Sequence, residues 1–213
     1  MPFGYIGQNQ TKQQVKNSGV LSSFDISHLK KQGHAGGSLE LIEEQTVSGT
    51  PTTINFTTLK EDIYDVHFMT YSNMHGQSGT PQDMGVRVSN DGGSSYEASN
   101  YAFGNLDGRA SGTFSEVKDT SSNRFMIAPD LDNETNASLN GYIYFYNLGD
   151  SSKYSFVTDM NYIFQSAVGG RFRWGSSVYY VAETINALAL ITSVGGGFSA
   201  GNVKLYGVKQ WVT

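Results

Sequence analysis

The sequence has no cysteine and few charged residues, and both absences limit what the protein can be. Without cysteine there are no disulfides, thiolate nucleophiles or sulfur-ligated metals. Only 15% of the residues are charged, against about 25% in an average soluble domain. The low charge indicates either large surfaces buried against other chains or a surface covered by serine and asparagine, and the composition fits both equally.

Long apolar runs are also missing. The opening residues MPFGYIGQNQ lack the apolar segment of a secretory signal, and no run approaches the ~20 apolar residues of a membrane-spanning helix. We therefore predict no membrane insertion, and synthesis in the cytoplasm unless a route that leaves no signal here exports the chain.

Charge and patterning change near the start of the chain. Residues 1–35 carry four lysines against one acidic residue, a net charge of +3, whereas residues 36–213 carry ten basic and eighteen acidic residues, a net charge of −8. The acidic body argues against nucleic acid as a partner. The change at Gly36-Gly37 predicts an N-terminal arm over residues 1–36 and a body over residues 37–213.

The arm is polar between residues 8 and 17 and holds apolar residues on either side of that stretch. Neither a helical nor a strand period is sustained, so we expect an extended segment. A disordered tail is the alternative, but the scattered apolar side chains fit better with an arm that orders on a partner. The candidate attachment residues are Phe3, Tyr5, Ile6, Val20, Leu21 and Phe24.

The body is rich in the residues of strands and turns, with 25 glycines, 13 tyrosines and 12 phenylalanines in the whole chain. Short alternating runs separated by turn residues, with almost no helical pattern, predict an all-β fold. The spacing is typical of an antiparallel β-sandwich, and eight of the stronger strands would make a jelly roll. No repeat of 20–50 residues is present, which argues against a propeller or solenoid.

The last apolar segment predicts both a core element and a contact between subunits. Ile185–Val194 is apolar at both parities, and Gly195-Gly196-Gly197 and the alternating run after it indicate a hairpin. A single sandwich buries one face of each strand, so a second apolar face predicts an interface. The candidate interface residues are Leu188, Leu190, Tyr142 and Tyr144.

Two further runs carry aromatic residues on alternate positions. Tyr142, Tyr144 and Tyr146 share one face of a predicted strand, and Phe172 and Trp174 share a face opposite Arg171 and Arg173. Such faces suit protein interfaces, and exposed tyrosine or tryptophan also suits stacking on sugars.

No catalytic or cofactor-binding pattern stands out. His67 and His75 lie eight residues apart without a zinc-binding motif, and adjacent carboxylates point to opposite faces of a strand. Asp130–Asn136 places oxygen ligands at alternate positions but lacks the glycine and the final glutamate of a calcium loop. It reads as a solvated acidic loop, with calcium as the alternative. We predict no catalytic residue, cofactor or metal ligand.

Four segments together resemble tailed-phage virion structural proteins. They are GYIGQNQTKQQVKNSGVLSSFDI near the start, TINFTTL followed by Tyr64-Asp65-Val66, VSNDGGSSY at residues 88–96, and the closing AGNVKLYGVK. Their order is similar to that in the small fibre, whisker and head- or tail-decoration proteins of marine phages.

The resemblance implies a non-enzymatic virion subunit. Its arm would attach it to other virion proteins of the capsid, portal, neck or tail, and its jelly-roll body would form a homotrimer as in fibre tips. The implied location is the virion, after assembly in the host cytoplasm. The alternative function is a carbohydrate-binding module at a fibre tip that recognises a host surface glycan.

Overall fold

Twelve strands make up most of the residues that the structure describes. The computed structural model describes residues 38–209, except residues 78, 80, 81, 132, 135, 166–168, 194 and 195 and the side chain of residue 165. The strands are β1 (Leu39–Thr46), β2 (Thr53–Phe56), β3 (Val66–Gly76), β4 (Gln82–Ser89), β5 (Tyr101–Arg109), β6 (Phe114–Ser122), β7 (Phe125–Leu131), β8 (Leu139–Tyr146), β9 (Ser155–Gln165), β10 (Gly169–Tyr179), β11 (Ala187–Thr192) and β12 (Phe198–Val208).

Eight of these strands form a jelly roll. One sheet contains the order β1-β12-β3-β8, and the other has the order β2-β11-β4-β7, with every pairing antiparallel. Along the chain β1 to β4 alternate between the two sheets, and β7, β8, β11 and β12 alternate in turn. This is the double Greek key of a jelly-roll sandwich, so the predicted all-β sandwich is confirmed.

Two inserted hairpins enlarge the first sheet. The β9–β10 hairpin follows β8 and the β5–β6 hairpin follows β4, and both add to the same edge in the order β8-β9-β10-β5-β6. The first sheet therefore has eight strands and the second four. The inner side of this extension lies against β7, the last strand of the smaller sheet.

The core lies between the inward faces of the two sheets and is largely aromatic and aliphatic. The rings of Tyr101 and Phe125 meet edge to face with centroids 5.0 Å apart, and both side chains are fully buried. The Tyr101 hydroxyl accepts a hydrogen bond from the Val88 amide at 3.0 Å and donates one to the Glu97 carbonyl at 3.1 Å. A large ring can thus be buried here without an unpaired hydroxyl.

The predicted terminal hairpin is not formed. β11 pairs with β2 and β4, whereas β12 pairs with β1 and β3 in the other sheet. The connection between β11 and β12 passes close to the segment between β1 and β2. A Cβ on Gly197 would lie only 2.7 Å from the carbonyl oxygen of Pro51 in that segment. Glycine therefore allows a close crossing between sheets at this point instead of a tight hairpin turn.

The interface predicted for Leu188 and Leu190 needs correction. Both leucines are fully buried in the core of a single chain, so they cannot contact a second subunit. On the other face of β11, Ala189 is also fully buried and lies between Asn55 and Arg87 of the neighbouring strands. Small alanines can be covered by longer neighbours, so both apolar faces of this strand are buried within one chain.

The predicted arm and its attachment residues Phe3, Tyr5, Ile6, Val20, Leu21 and Phe24 lie outside the described residues. Within residues 38–209, as far as they are described, the chain forms no helix, and hence none long and apolar enough to cross a bilayer.

Candidate interaction surface

The outward side of the eight-stranded sheet is covered with aromatic side chains. We call the outward side chains of β3, β8, β9 and β10 the aromatic face. Its six most exposed large members are between 39% and 51% exposed: Tyr142, Phe156, Met160, Tyr162, Phe164 and Trp174. The outward side of an antiparallel sandwich is normally polar, so this face is built for something other than contact with water.

The aromatic face carries no charge at its described outward positions. On β8, β9 and β10 these positions hold aromatic, aliphatic, methionine, glycine, asparagine, serine and threonine residues, and on Val66–Ser72 of β3 they hold Val66, Phe68, Thr70 and Ser72. The body around it has a net charge of −8. A neutral apolar patch on an acidic protein is the pattern expected at the centre of a protein interface, where charged residues are depleted.

Neighbouring rings on this face hold one another in place. Phe68 on β3 packs against Tyr144 on β8 with ring centroids 4.6 Å apart. Along β10, the rings of Phe172 and Trp174 stack at 5.2 Å with an angle of 5° between their planes. Rings that are already ordered lose little conformational freedom when a partner binds.

A shallow apolar depression lies among β8, β9 and β10. Its volume is about 580 Å³, and Tyr142, Met160, Tyr162 and Phe172 line it together with Asn140, Gly141 and Asn161. The Tyr142 hydroxyl lies 3.7 Å from the Met160 sulfur, across the pair that joins β8 to β9. The depression can seat an apolar side chain from a partner, as central interface pockets do.

Tyr142 and Tyr144, predicted as interface residues, both lie on the aromatic face. Tyr142 is exposed and Tyr144 is half-buried. The aromatic residues of β9 were missed, although Phe156, Tyr162 and Phe164 alternate with buried residues in SFVTDMNYIFQ. The alternation of period two in this segment could have identified them from the sequence. Because β9 lies between β8 and β10, these residues continue the aromatic face from one strand to the next.

A buried network of charges lies beneath this face, between the sheet extension and β7. Asp107 on β5 is fully buried and forms ion pairs with Arg171 and Arg173 of β10, and Arg171 also pairs with Asp130 of β7. Burial alone would raise the pKa of Asp107, but its hydrogen bonds to the two arginines and their positive charges hold that pKa below the ordinary value. The network joins the extension of the large sheet to the small one.

Asp159 lies in the same layer on β9 and is 4% exposed. Burial raises the pKa of Asp159 to about 7, and the nearby charge of Arg173 and a hydrogen bond from Asn161 oppose that rise only in part. Its Oδ1 atom has no hydrogen-bond partner within the described chain. Asp159 is therefore a buried carboxyl that holds its proton up to near neutral pH. Like Asp107, it is enclosed rather than turned towards a cleft.

The other candidate residues do not assemble into a site. His67 and His75 both lie on β3, eight residues apart and therefore ~26 Å from each other along an extended strand. His67 is buried with Nε2 2.8 Å from the Leu59 carbonyl, and burial lowers its pKa. Asp130 of the acidic loop pairs with Arg171. In the described part of the chain, no three His, Asp or Glu side chains are arranged to hold a metal.

Comparison with protein families, with curated proteins and with solved structures found nothing that matches this chain.

Proposed function

We propose that this protein is a non-enzymatic structural subunit of a phage virion, an appendage (fibre) or decoration protein. In this proposal the aromatic face joins copies of the chain into a homotrimer, and the N-terminal arm attaches the trimer to the particle. The observation that carries the proposal is the aromatic face: a large, uncharged and preordered surface that the described part of the chain leaves uncovered.

The size of the aromatic face supports burial against another chain. Five large side chains of β8 and β9 are 39–51% exposed, and since an aromatic side chain can bury 150–250 Å², they expose on the order of 400 Å². Half-buried neighbours such as Phe68 and Tyr144 add to this area. The largest apolar patch of a typical monomer is about 300–600 Å² and is often functional, and a stable interface buries about 800 Å² per partner, so the aromatic face would form the apolar centre of such an interface.

The charge of the body favours a second copy as the occupant. With a net charge of −8 over residues 36–213, two copies repel each other through most of their surfaces. The aromatic face is the exception, because its described outward positions on β3 (Val66–Ser72), β8, β9 and β10 are neutral. Identical copies can therefore meet there without like-charge repulsion, and rotational symmetry closes the assembly without a free sticky surface. The resemblance to fibre proteins implies three subunits.

The virion role rests on the sequence resemblance and on what the fold permits. A jelly roll serves many functions, so it does not by itself select one. It does provide two packed sheets, of which the larger has the broad outer face that a subunit needs in order to pack side by side with its copies. The proposed location is the virion, with assembly in the host cytoplasm and the other virion proteins as partners of the arm.

Immunogold labelling of purified particles tests this function. An antibody against the body should label a fixed position on the head, neck or tail, at several copies per particle. The same antibody on particles lacking the protein is the control. If the chain is made during infection but purified particles neither contain it nor are labelled, the virion role is wrong.

A further inference from the structure

We infer that a trough over β5, beside Trp174, is a binding site for a neutral glycan built of hexopyranose rings. The β5 trough is the space over the outward side of β5 between β10 and β6, with a volume of about 550 Å³. It lies at the β5–β6 end of the sheet, away from the β8–β9 centre of the proposed subunit interface. It goes beyond the structural role proposed above: Trp174 lies at the β5 edge of the aromatic face, and the proposed subunit interface, centred on β8 and β9, leaves it free.

The floor of the trough is open at Gly104, which lies between the half-buried Leu106 and Ala102 on the outward side of β5. Gly104 pairs with Ser176 of β10 and Lys118 of β6, and a Cβ built on Gly104 meets no atom within 4 Å. A second depression of about 280 Å³ continues over Ala102 towards Val178. Trp174 and Val178 are ~13 Å apart along the strand, and only the small Ser176 stands outward between them. That space is long enough for one or two sugar rings.

Trp174 supplies a fixed platform at one end. It is 40% exposed and its ring is stacked almost parallel to that of Phe172, two residues earlier on the same strand. One face of the indole is therefore covered, and the opposite face is turned along the strand towards Ser176. A large, ordered and amphipathic ring of this kind suits the C–H face of a pyranose.

The sides of the trough supply polar groups of both signs. Glu116 and Lys118 on β6 lie 3.0 Å apart as an ion pair, with side chains 72% and 75% exposed. Together with the Ser176 hydroxyl they offer a carboxylate acceptor, an ammonium donor and a hydroxyl that does both. The charges of Glu116 and Lys118 balance, and Asp119 beside the second depression adds one more carboxylate acceptor, so the trough favours a neutral ligand rich in hydroxyl groups over an anionic one.

A glycan fits this trough better than an extended peptide. A peptide usually gains affinity by adding to the free edge of a sheet, but β5 is already paired with β10 and β6 on its two sides. Nucleic acid is disfavoured by the acidic body. The trough therefore suits a ligand that binds through the exposed face of the Trp174 ring and through side-chain polar groups, as a glycan does.

The test uses the full chain on a printed array of neutral hexopyranose oligosaccharides. We expect wild type to bind a subset of the array, Trp174→Ala to lose at least tenfold in affinity, and Trp174→Phe to recover part of it. Gly104→Leu should also abolish binding, because its side chain would fill the open floor from a position where a Cβ meets no atom within 4 Å. Tyr154→Ala, which removes another exposed aromatic residue just before β9, should bind as wild type does.

Two readouts separate loss of the site from loss of structure. Each variant should keep the wild-type melting temperature and the wild-type mass by light scattering. No binding to any oligosaccharide overturns the proposal, and so does binding that survives both Trp174→Ala and Gly104→Leu. Capture of a peptide from a random library, sensitive to the same two variants, would assign the trough to a protein segment instead.

Discussion

Both carboxylate oxygens of Asp107 accept hydrogen bonds from Arg173, with Nε 2.5 Å from Oδ1 and Nη2 3.1 Å from Oδ2. The two side chains are 0% and 3% exposed. A pair this deeply buried is stable only while it is complete, since either partner alone would be a desolvated charge. It lies directly under the aromatic face and holds β5 and β10 in register.

We expect Asp107→Asn to lower the free energy of unfolding by ~3–5 kcal/mol, because Arg171 and Arg173 both lose their shared carboxylate. Urea denaturation measures the change. Asp62→Asn, at an exposed position between β2 and β3, is the matched control and should stay within about 0.5 kcal/mol of wild type. Equal midpoints for Asp107→Asn and wild type would show that the network does not support the fold.

Stability should fall as pH rises from about 4 to 7 through the effect of Asp159. Its pKa is about 7 in the folded protein, so over this range the folded state binds more protons than the unfolded state. The contribution of protonated Asp159 is complete below pH 4 and lost above pH 7. Asp159→Asn should therefore gain stability relative to wild type as pH rises, by about 1–4 kcal/mol at pH 8.

The difference between wild type and Asp159→Asn isolates this effect from other groups. His67 acts in the opposite direction, because its lowered pKa makes the folded state lose stability as pH falls below about 6.5. The lowered pKa of Asp107 keeps that carboxylate charged throughout the range. Parallel stability curves for the two proteins between pH 4 and pH 8 would contradict a raised pKa for Asp159.

Leu190→Ala should destabilise the fold without changing the assembly. Leu190 is fully buried between the sheets, so truncating it should cost ~2–5 kcal/mol. Because it does not reach the surface, the mass of the folded protein should equal that of wild type. If the Leu190→Ala variant stayed folded but dissociated, β11 would have to be part of the subunit interface after all.

A truncated chain that begins at Gly37 should fold without the arm. Among the residues that the structure describes, the buried core runs from Ile54 to Leu205, and β1 begins at Leu39. We expect unchanged circular dichroism and solubility but loss of association with particles. Aggregation of the truncated body would mean that residues 1–36 belong to the core.

Local patterns were enough to predict the fold class and part of the aromatic face. The alternation in LNGYIYFY places Tyr142 and Tyr144 outward and Ile143 and Phe145 inward, as the structure has them. This works because the period of two is a property of the strand itself and needs no knowledge of its neighbours.

Pairings between distant strands could not be predicted in the same way. Asp107 and Arg171 are 64 residues apart and meet only because the β5–β6 hairpin joins the sheet beside β10. Likewise, β11 and β12 have the sequence pattern of a hairpin, but β11 pairs with β4 in the smaller sheet and β12 pairs with β3 in the larger one. Small outward residues such as Gly104 and Ala102 also weakened the strand pattern of β5.

Light scattering on the purified full chain tests the central claim, that the aromatic face joins copies of the protein. We expect a mass of about 70 kDa, three times the chain mass of 23.2 kDa. Tyr142→Asp, which places a charge in the neutral face, should reduce it to that of one folded chain, whereas Ile63→Asp, at a 63% exposed apolar position between β2 and β3, should leave it unchanged. A monomeric wild type at micromolar concentration, or a trimer that Tyr142→Asp does not disturb, would contradict the claim.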